Sequence, residues 1–129
     1  MYTIEYLPIA RRDMVDIAKY IGVKLANQDA AERLAEKMVE SAEDLANMPY
    51  KCPMYIPVKP LKHEYRKLIV HNYIMFYWID EDKKLVTIAR VFPKNTDFLA
   101  RNITAFDKSK TEQISNPFRI FGIIFVAFH

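Results

Sequence analysis

Five side chains near the middle of this chain have the chemistry to handle a phosphate. Arg66, Lys67, His71 and Arg90 lie within "EYRKLIVHNYIMFYWIDEDKKLVTIARVF", residues 64–92, and Lys94 comes shortly after. Guanidinium and ammonium groups stabilise phosphate oxygens, and an imidazole exchanges a proton near neutral pH. Arg66, Arg90 and His71 are therefore the candidate catalytic groups. Arg66, Lys67, Arg90 and Lys94 are the candidates for contacting nucleic acid or another target. Each has a plain structural alternative. A lone histidine in a turn is most simply an exposed polar residue, and Lys67 a solvated strand residue. Either arginine can be taken up by Glu64, Asp80 or a helix carboxylate.

Other chemistries find little support. Only Gly22 and Gly122 occur, so no glycine-rich phosphate loop can be assembled. Cys52 is the single cysteine, which excludes an internal disulfide and a thiolate metal cluster. His63 and His129 have no recognisable ligand partners, so no metal and no cofactor is expected.

The elements that position these groups can be read from periodicity. "YTIEY" alternates and reads as a strand over 2–6. Pro8 suits the first turn of a helix, and Met14, Ile17, Ala18, Ile21 and Leu25 continue at helical spacing, giving a helix over about 8–24. A second helix runs through "ANQDAAERLAEKMVESAEDLANMP", with Asn27 or Asp29 as its cap and Ala31, Leu34, Met38, Ala42 and Leu45 as its buried stripe. Two amphipathic helices with so short a connection form an antiparallel hairpin that needs a sheet to cover it.

"PYKCPMYIPVKPLKH" carries prolines at 49, 53, 57 and 60 and cannot be a helix interior or a central strand. It is either a crossing loop that packs its aromatics on the sheet, or a basic strap with Tyr50 and Tyr55 free to stack on nucleic acid. Three strands come next. In the first, Tyr65, Lys67 and Ile69 alternate with Arg66, Leu68 and Val70. "HN" at 71–72 makes a tight turn, with Asn72 suited to a positive φ. Residues 73–79 are apolar on both faces, as a strand covered on both sides would be. "LVTIARVF" closes the set, with Arg90 placed on the side of Val86, Ile88 and Phe92. The expected fold is α+β in two layers: an N-terminal strand and a helical hairpin packed on an antiparallel β-meander.

The net charge of +3 is unevenly spread: residues 1–48 carry −3, residues 49–98 carry +4 and the remainder +2. A basic centre can meet nucleic acid or an acidic partner, though so small an excess is also an ordinary solvated surface. No basic stretch leading into an apolar run opens the chain, so a cytoplasmic location is the expectation.

The ordered run "YTIEYLPIARRDMVDIAKYI", "NQDAAERLAEKM", "MPYKCPMY" and "EYRKLIVHNYIMFYWIDEDKKLVTIARVF" resembles the RelE/ParE toxins of type II toxin–antitoxin systems, also labelled plasmid-stabilisation proteins. The resemblance covers about residues 2–98, and "YRKLIVHNYIMFYWID" is its most specific part. It implies a cytosolic bacterial toxin that inhibits growth and is held in a hetero-oligomer by a cognate antitoxin. That antitoxin would dock a helix in an apolar groove and add a strand to a sheet edge.

Some members of this family cut messenger RNA on the ribosome without a metal, attacking phosphorus with the adjacent 2′-hydroxyl. This needs a base, cations for the crowded phosphorane and an acid for the departing oxygen. Arg66 stands where a basic strand residue is expected, but two residues later the chain has Leu68. The position after Tyr73, where a phosphate-binding arginine is expected, is Ile74. Where "YGRRD"-like text is usual, "FPKNTD" leaves Lys94 as the basic group. The resemblance therefore leans away from an enzyme and toward a ParE-like toxin that acts by binding DNA gyrase. A ribosome-dependent endoribonuclease and a non-toxic antitoxin-binding remnant are the alternatives.

Residues 99–129 lie beyond the resemblance and form an atypical C-terminal extension to the toxin domain at 1–98. Its end, "FRIFGIIFVAF", is strongly apolar yet falls short of the roughly 20 residues of a membrane helix. No membrane association is expected; the segment suits an added strand or a sticky end.

Overall fold

Two helices pack on one sheet in the expected α+β arrangement, and the first strand, β1 (Thr3–Tyr6), belongs to that sheet. It pairs in parallel with the last strand, Thr3 opposite Leu85 and Tyr6 opposite Ile88. This arrangement comes from a computed structural model that describes residues 1–57 and 61–95. The extension at 99–129 and its apolar end lie outside the described residues.

Helix α1 (Pro8–Lys19) starts on Pro8, whose missing N–H falls where a helix has no acceptor for it. The periodicity predicts one helix to about residue 24, but α-geometry ends at Lys19 and a π-helical turn spans Tyr20–Lys24. The N–H of Leu25 reaches back five residues to the Tyr20 carbonyl at 3.0 Å. This wider turn, with a left-handed step after it at Ala26 (φ 51°), carries the chain across to the next helix within three residues.

Helix α2 (Gln28–Glu43) is capped by Asn27, whose Oδ1 accepts from the Ala30 N–H at 3.0 Å. Of the two candidate caps, Asn27 is the one used. Ala31, Ala35, Met38, Ala42 and, in the 3-10 turn after the helix, Leu45 form the buried stripe. Leu34 is only partly covered.

Strands β2 (Arg66–Val70), β3 (Tyr73–Asp80) and β4 (Leu85–Pro93) form the expected meander, and the sheet order is β1-β4-β3-β2. The turn between β2 and β3 is the two-residue one, but the positive φ falls on His71 (54°) and not on Asn72.

In β4 the pairing slips. Phe76 faces Arg90 while Tyr77 faces Ile88, so Ala89 is an extra residue. Sequence alternation places Arg90 with Val86, Ile88 and Phe92, and the bulge breaks that set. Val86, Ile88 and Val91 join the core under the helices, whereas Ala89 and Phe92 belong to the core on the other face. A single inserted residue reverses the facing of everything after it.

The sheet is covered on both sides. Beneath the helices lie Leu68, Val70, Met75, Tyr77, Val86, Ile88 and Val91 with Ala10, Met14 and Met38. On the opposite face Tyr65, Ile74, Phe76, Ala89 and Phe92 are capped by Leu7, Tyr55 and Leu61. The proline-rich segment supplies part of that cap. The Tyr55 ring meets Phe76 edge-on at 5.4 Å, and the Tyr55 N–H donates to the Tyr65 carbonyl. The packing-loop reading of this segment holds for Tyr55.

Candidate functional site

The five candidate cations do not converge. Arg66 begins β2, and its Nη1 donates to the Cys52 carbonyl at 2.7 Å. Its guanidinium also sits 5.1 Å from the centre of the Tyr50 ring. The Lys67 N–H donates to the Pro53 carbonyl, tying this edge of β2 to the crossing segment. His71 and Lys94 are exposed at the opposite end of the sheet, where the Lys94 N–H donates to the Asn72 carbonyl.

Arg90 is engaged by a helix carboxylate, one of the plain alternatives that the sequence offered. Its Nε and Nη2 donate to the two carboxylate oxygens of Asp13 on α1, at 2.8 and 3.1 Å. The Val91 N–H also donates to Asp13, at 2.9 Å. Asp13 thus neutralises the arginine and satisfies a backbone donor on β4, beyond the last residue that β1 pairs. Both side chains are only 13% exposed. Burial pushes the Asp13 carboxyl above the usual carboxylate range, with Arg90 and the Val91 N–H opposing that shift. No sequence spacing links residues 13 and 90; the α1–β4 packing brings them together.

A second cluster also lacks a sequence signal. Glu81 accepts from Tyr2 and Tyr50 hydroxyls at 2.8 and 2.5 Å and pairs with Lys84. Lys84, then Tyr50 and Tyr2, hold Glu81 down to about 2, and the bond to Glu81 pushes Tyr50 up to about 12. Tyr50, a candidate stacking ring by sequence, is thus held between Arg66 and Glu81.

A concave surface lies elsewhere, where the helix-hairpin turn meets the β2–β3 turn and the end of β4. Two adjoining hollows of about 500 and 480 Å³ share Tyr20 and Tyr73 as walls. Ile21, Leu25 and Leu34 line the first, Ile17, Phe92 and Pro93 the second. Polar groups stand at its margins: Arg33, His71 and Asn72 at one end, Asp13, Asp16 and Arg90 at the other. Tyr73, half-buried there, has its hydroxyl pKa raised, first by burial and then by the neighbouring Tyr20.

An apolar trough with charged rims suits a peptide segment better than a reacting phosphate. Among the described residues, no three His, Cys, Asp or Glu side chains gather to hold a metal ion, and no helix is long and apolar enough to cross a membrane.

Comparison with known proteins bears on this geometry. Residues 4–98 match the family described as the ParE toxin of type II toxin–antitoxin systems, parDE. Among solved structures, the chain is similar to one in the RelBE2 toxin–antitoxin complex of Mycobacterium tuberculosis. The two are 24% identical with a TM-score of 0.47, over 73% of this chain and 93% of the other. No match is found among curated proteins. The family match starts within β1 and runs past the end of β4, so it spans all the strands and helices of the described residues; the chain belongs to the ParE toxin family of type II toxin–antitoxin systems.

Proposed function

We propose that this toxin acts by binding its target, DNA gyrase, and not by cutting RNA. The observation that carries this reading is the internal engagement of the two strand arginines. Arg90 is held bidentately by Asp13, and Arg66 by the Cys52 carbonyl and the Tyr50 ring. An endoribonuclease needs cations free to meet a phosphorane beside a proton donor. Here both arginines already have partners, and His71 lies at the far end of β2 from Arg66, roughly 16 Å away at 3.3 Å per residue.

Residues 1–98 form the toxin domain in this reading and 99–129 an extension to it. The partner is a cognate antitoxin, forming a hetero-oligomer in the bacterial cytoplasm. Its docking helix suits the trough between Tyr20 and Tyr73, which offers apolar walls of the right kind.

The alternative, a metal-independent endoribonuclease, draws on the exposure of His71 and Lys94 at one end of the sheet. A paired assay separates the readings. Purified protein is added to a gyrase supercoiling reaction and to ribosomes carrying defined messenger RNA. Loss of supercoiling without transcript cleavage is expected, unchanged by His71→Ala. Cleavage that His71→Ala or Lys94→Ala abolishes would establish the nuclease. Absence of both activities, with retained antitoxin binding, would identify a non-toxic remnant.

A further inference from the structure

We infer that the trough between Tyr20 and Tyr73 selects its occupant by charge. It fits an amphipathic helix with a carboxylate at the end over Arg33 and His71, and an ammonium or guanidinium group at the end over Asp16. The inference rests on the reading of this trough as the antitoxin's docking site, and adds the charge pattern that the docked helix carries.

The two hollows differ in what stands at their outer ends. The one walled by Ile21, Leu25 and Leu34 ends at Arg33, His71 and Asn72. Arg33, on α2, and His71, in the β2–β3 turn, are both exposed. Lys94 is exposed beside them, its N–H bonded to the Asn72 carbonyl. Among the described residues that line this hollow there is no carboxylate.

The other hollow, walled by Ile17, Phe92 and Pro93, holds Asp13, Asp16 and Arg90. These charges do not count equally. Asp13 and Arg90 neutralise one another through their paired hydrogen bonds and are largely buried. Asp16 is left over. It is exposed on α1, and it lies near enough to Asp13 to add to the rise that burial gives that carboxyl. Neither Asp16 nor Arg33 has an ion-pair partner among the described residues. One end of the trough is therefore negative and the other positive, with an uncharged middle of Ile17, Tyr20, Leu34 and Tyr73.

Such a surface is complementary to one kind of occupant. The middle gains by being covered with an apolar stripe, and each unpaired end favours the opposite charge and repels its own. A nucleic-acid backbone, negative throughout, has no stripe for the walls and meets repulsion at Asp16. Both ends are open to water, so a matched charge raises affinity by up to about fivefold per end, and less at high salt. The pattern holds for either chain direction of the bound helix.

The test selects binders from a displayed library of helices with a fixed leucine stripe and flanking positions randomised among Lys, Glu and Ala. The full chain is used as parent, Arg33→Glu and Asp16→Lys, in parallel and at low salt. Both substitutions fall on exposed helix positions, where such changes leave a fold intact. The parent should enrich helices with Glu at one end and Lys at the other. Arg33→Glu should shift the selection to Lys at both ends, and Asp16→Lys to Glu at both ends. Tyr20→Ala, which removes the shared wall, should weaken the selected helices on every background. If it does weaken them but the end charges are the same on all three proteins, the docking site stands and the charge pattern is overturned. If Tyr20→Ala changes nothing, or no helix is selected, the trough itself is lost as a docking site and the inference with it.

Discussion

The carboxylate of Asp13 accepts three hydrogen bonds, two from Arg90 and one from Val91 N–H, in a setting from which water is largely shut out. Removing it leaves a nearly buried guanidinium and a backbone N–H without acceptors. Asp13→Ala should therefore cost about 2–4 kcal/mol, and Asp13→Asn, which keeps an acceptor oxygen, about half as much. Urea midpoints with an unchanged slope would check both values. Two tyrosines with buried hydroxyls should behave in opposite ways. The Tyr77 hydroxyl donates to the Pro49 carbonyl at 2.7 Å, whereas the Tyr6 hydroxyl is buried without a partner. Tyr77→Phe should cost about 1–2 kcal/mol, and Tyr6→Phe should be neutral or stabilising by up to about 1 kcal/mol. Burial pushes Tyr6 from 10.0 up to about 12 and also raises Tyr77. Both phenols thus hold their proton more tightly in the native state. Their contribution is complete below pH 10 and is lost as pH rises through the raised folded-state values, about 12 for Tyr6. Stability measured at pH 9, 10 and 11 should fall less steeply in Tyr6→Phe than in the parent.

At the scale of elements, most of the architecture is written in local pattern. The stripe Ala31, Met38, Ala42 and Leu45 predicts the buried face of α2, and the two-faced apolarity of residues 73–79 predicts a strand covered on both sides. What periodicity does not carry is any event that adds a residue. The π-helical turn at Tyr20–Lys24 and the bulge at Ala89 each shift the phase of the residues after them, and neither has a compositional mark. The site suffered most from this. Alternation put Arg90 on the side of Val86, Ile88 and Phe92, a set that the bulge breaks, and its partner Asp13 lies 77 residues away in sequence. The left-handed positions were equally hard to assign: Asn72 is the residue type suited to one, yet His71 takes it. Ala26 occupies another, at φ 51°, and bears the steric cost of a Cβ there. Ala26→Gly should stabilise the hairpin turn by about 1 kcal/mol, read as a rise in thermal midpoint of a few degrees.

For the molecule as a whole, the sheet is an inner layer with a core on each side, and among the described residues the smaller core is closed by Leu7, Tyr55 and Leu61, which lie outside the helices. Phe76, fully buried in that smaller core beneath Tyr55, tests how much the loop-covered side matters. Phe76→Ala should cost about 3–5 kcal/mol, a large share of the roughly 5–15 kcal/mol typical of a domain, and should lower soluble yield markedly. A loss below about 1 kcal/mol would mean that this face holds the fold only loosely. The parallel pairing of β1 with β4 has a consequence for synthesis. Thr3 cannot meet Leu85 until 82 more residues have been translated, which takes roughly 4–16 s at ordinary elongation rates. For that interval the newborn chain has two amphipathic helices and no finished sheet to lay them on. Any activity that needs the finished sheet therefore arises late and all at once, leaving a timed opening in which a partner already present can reach the nascent polypeptide first.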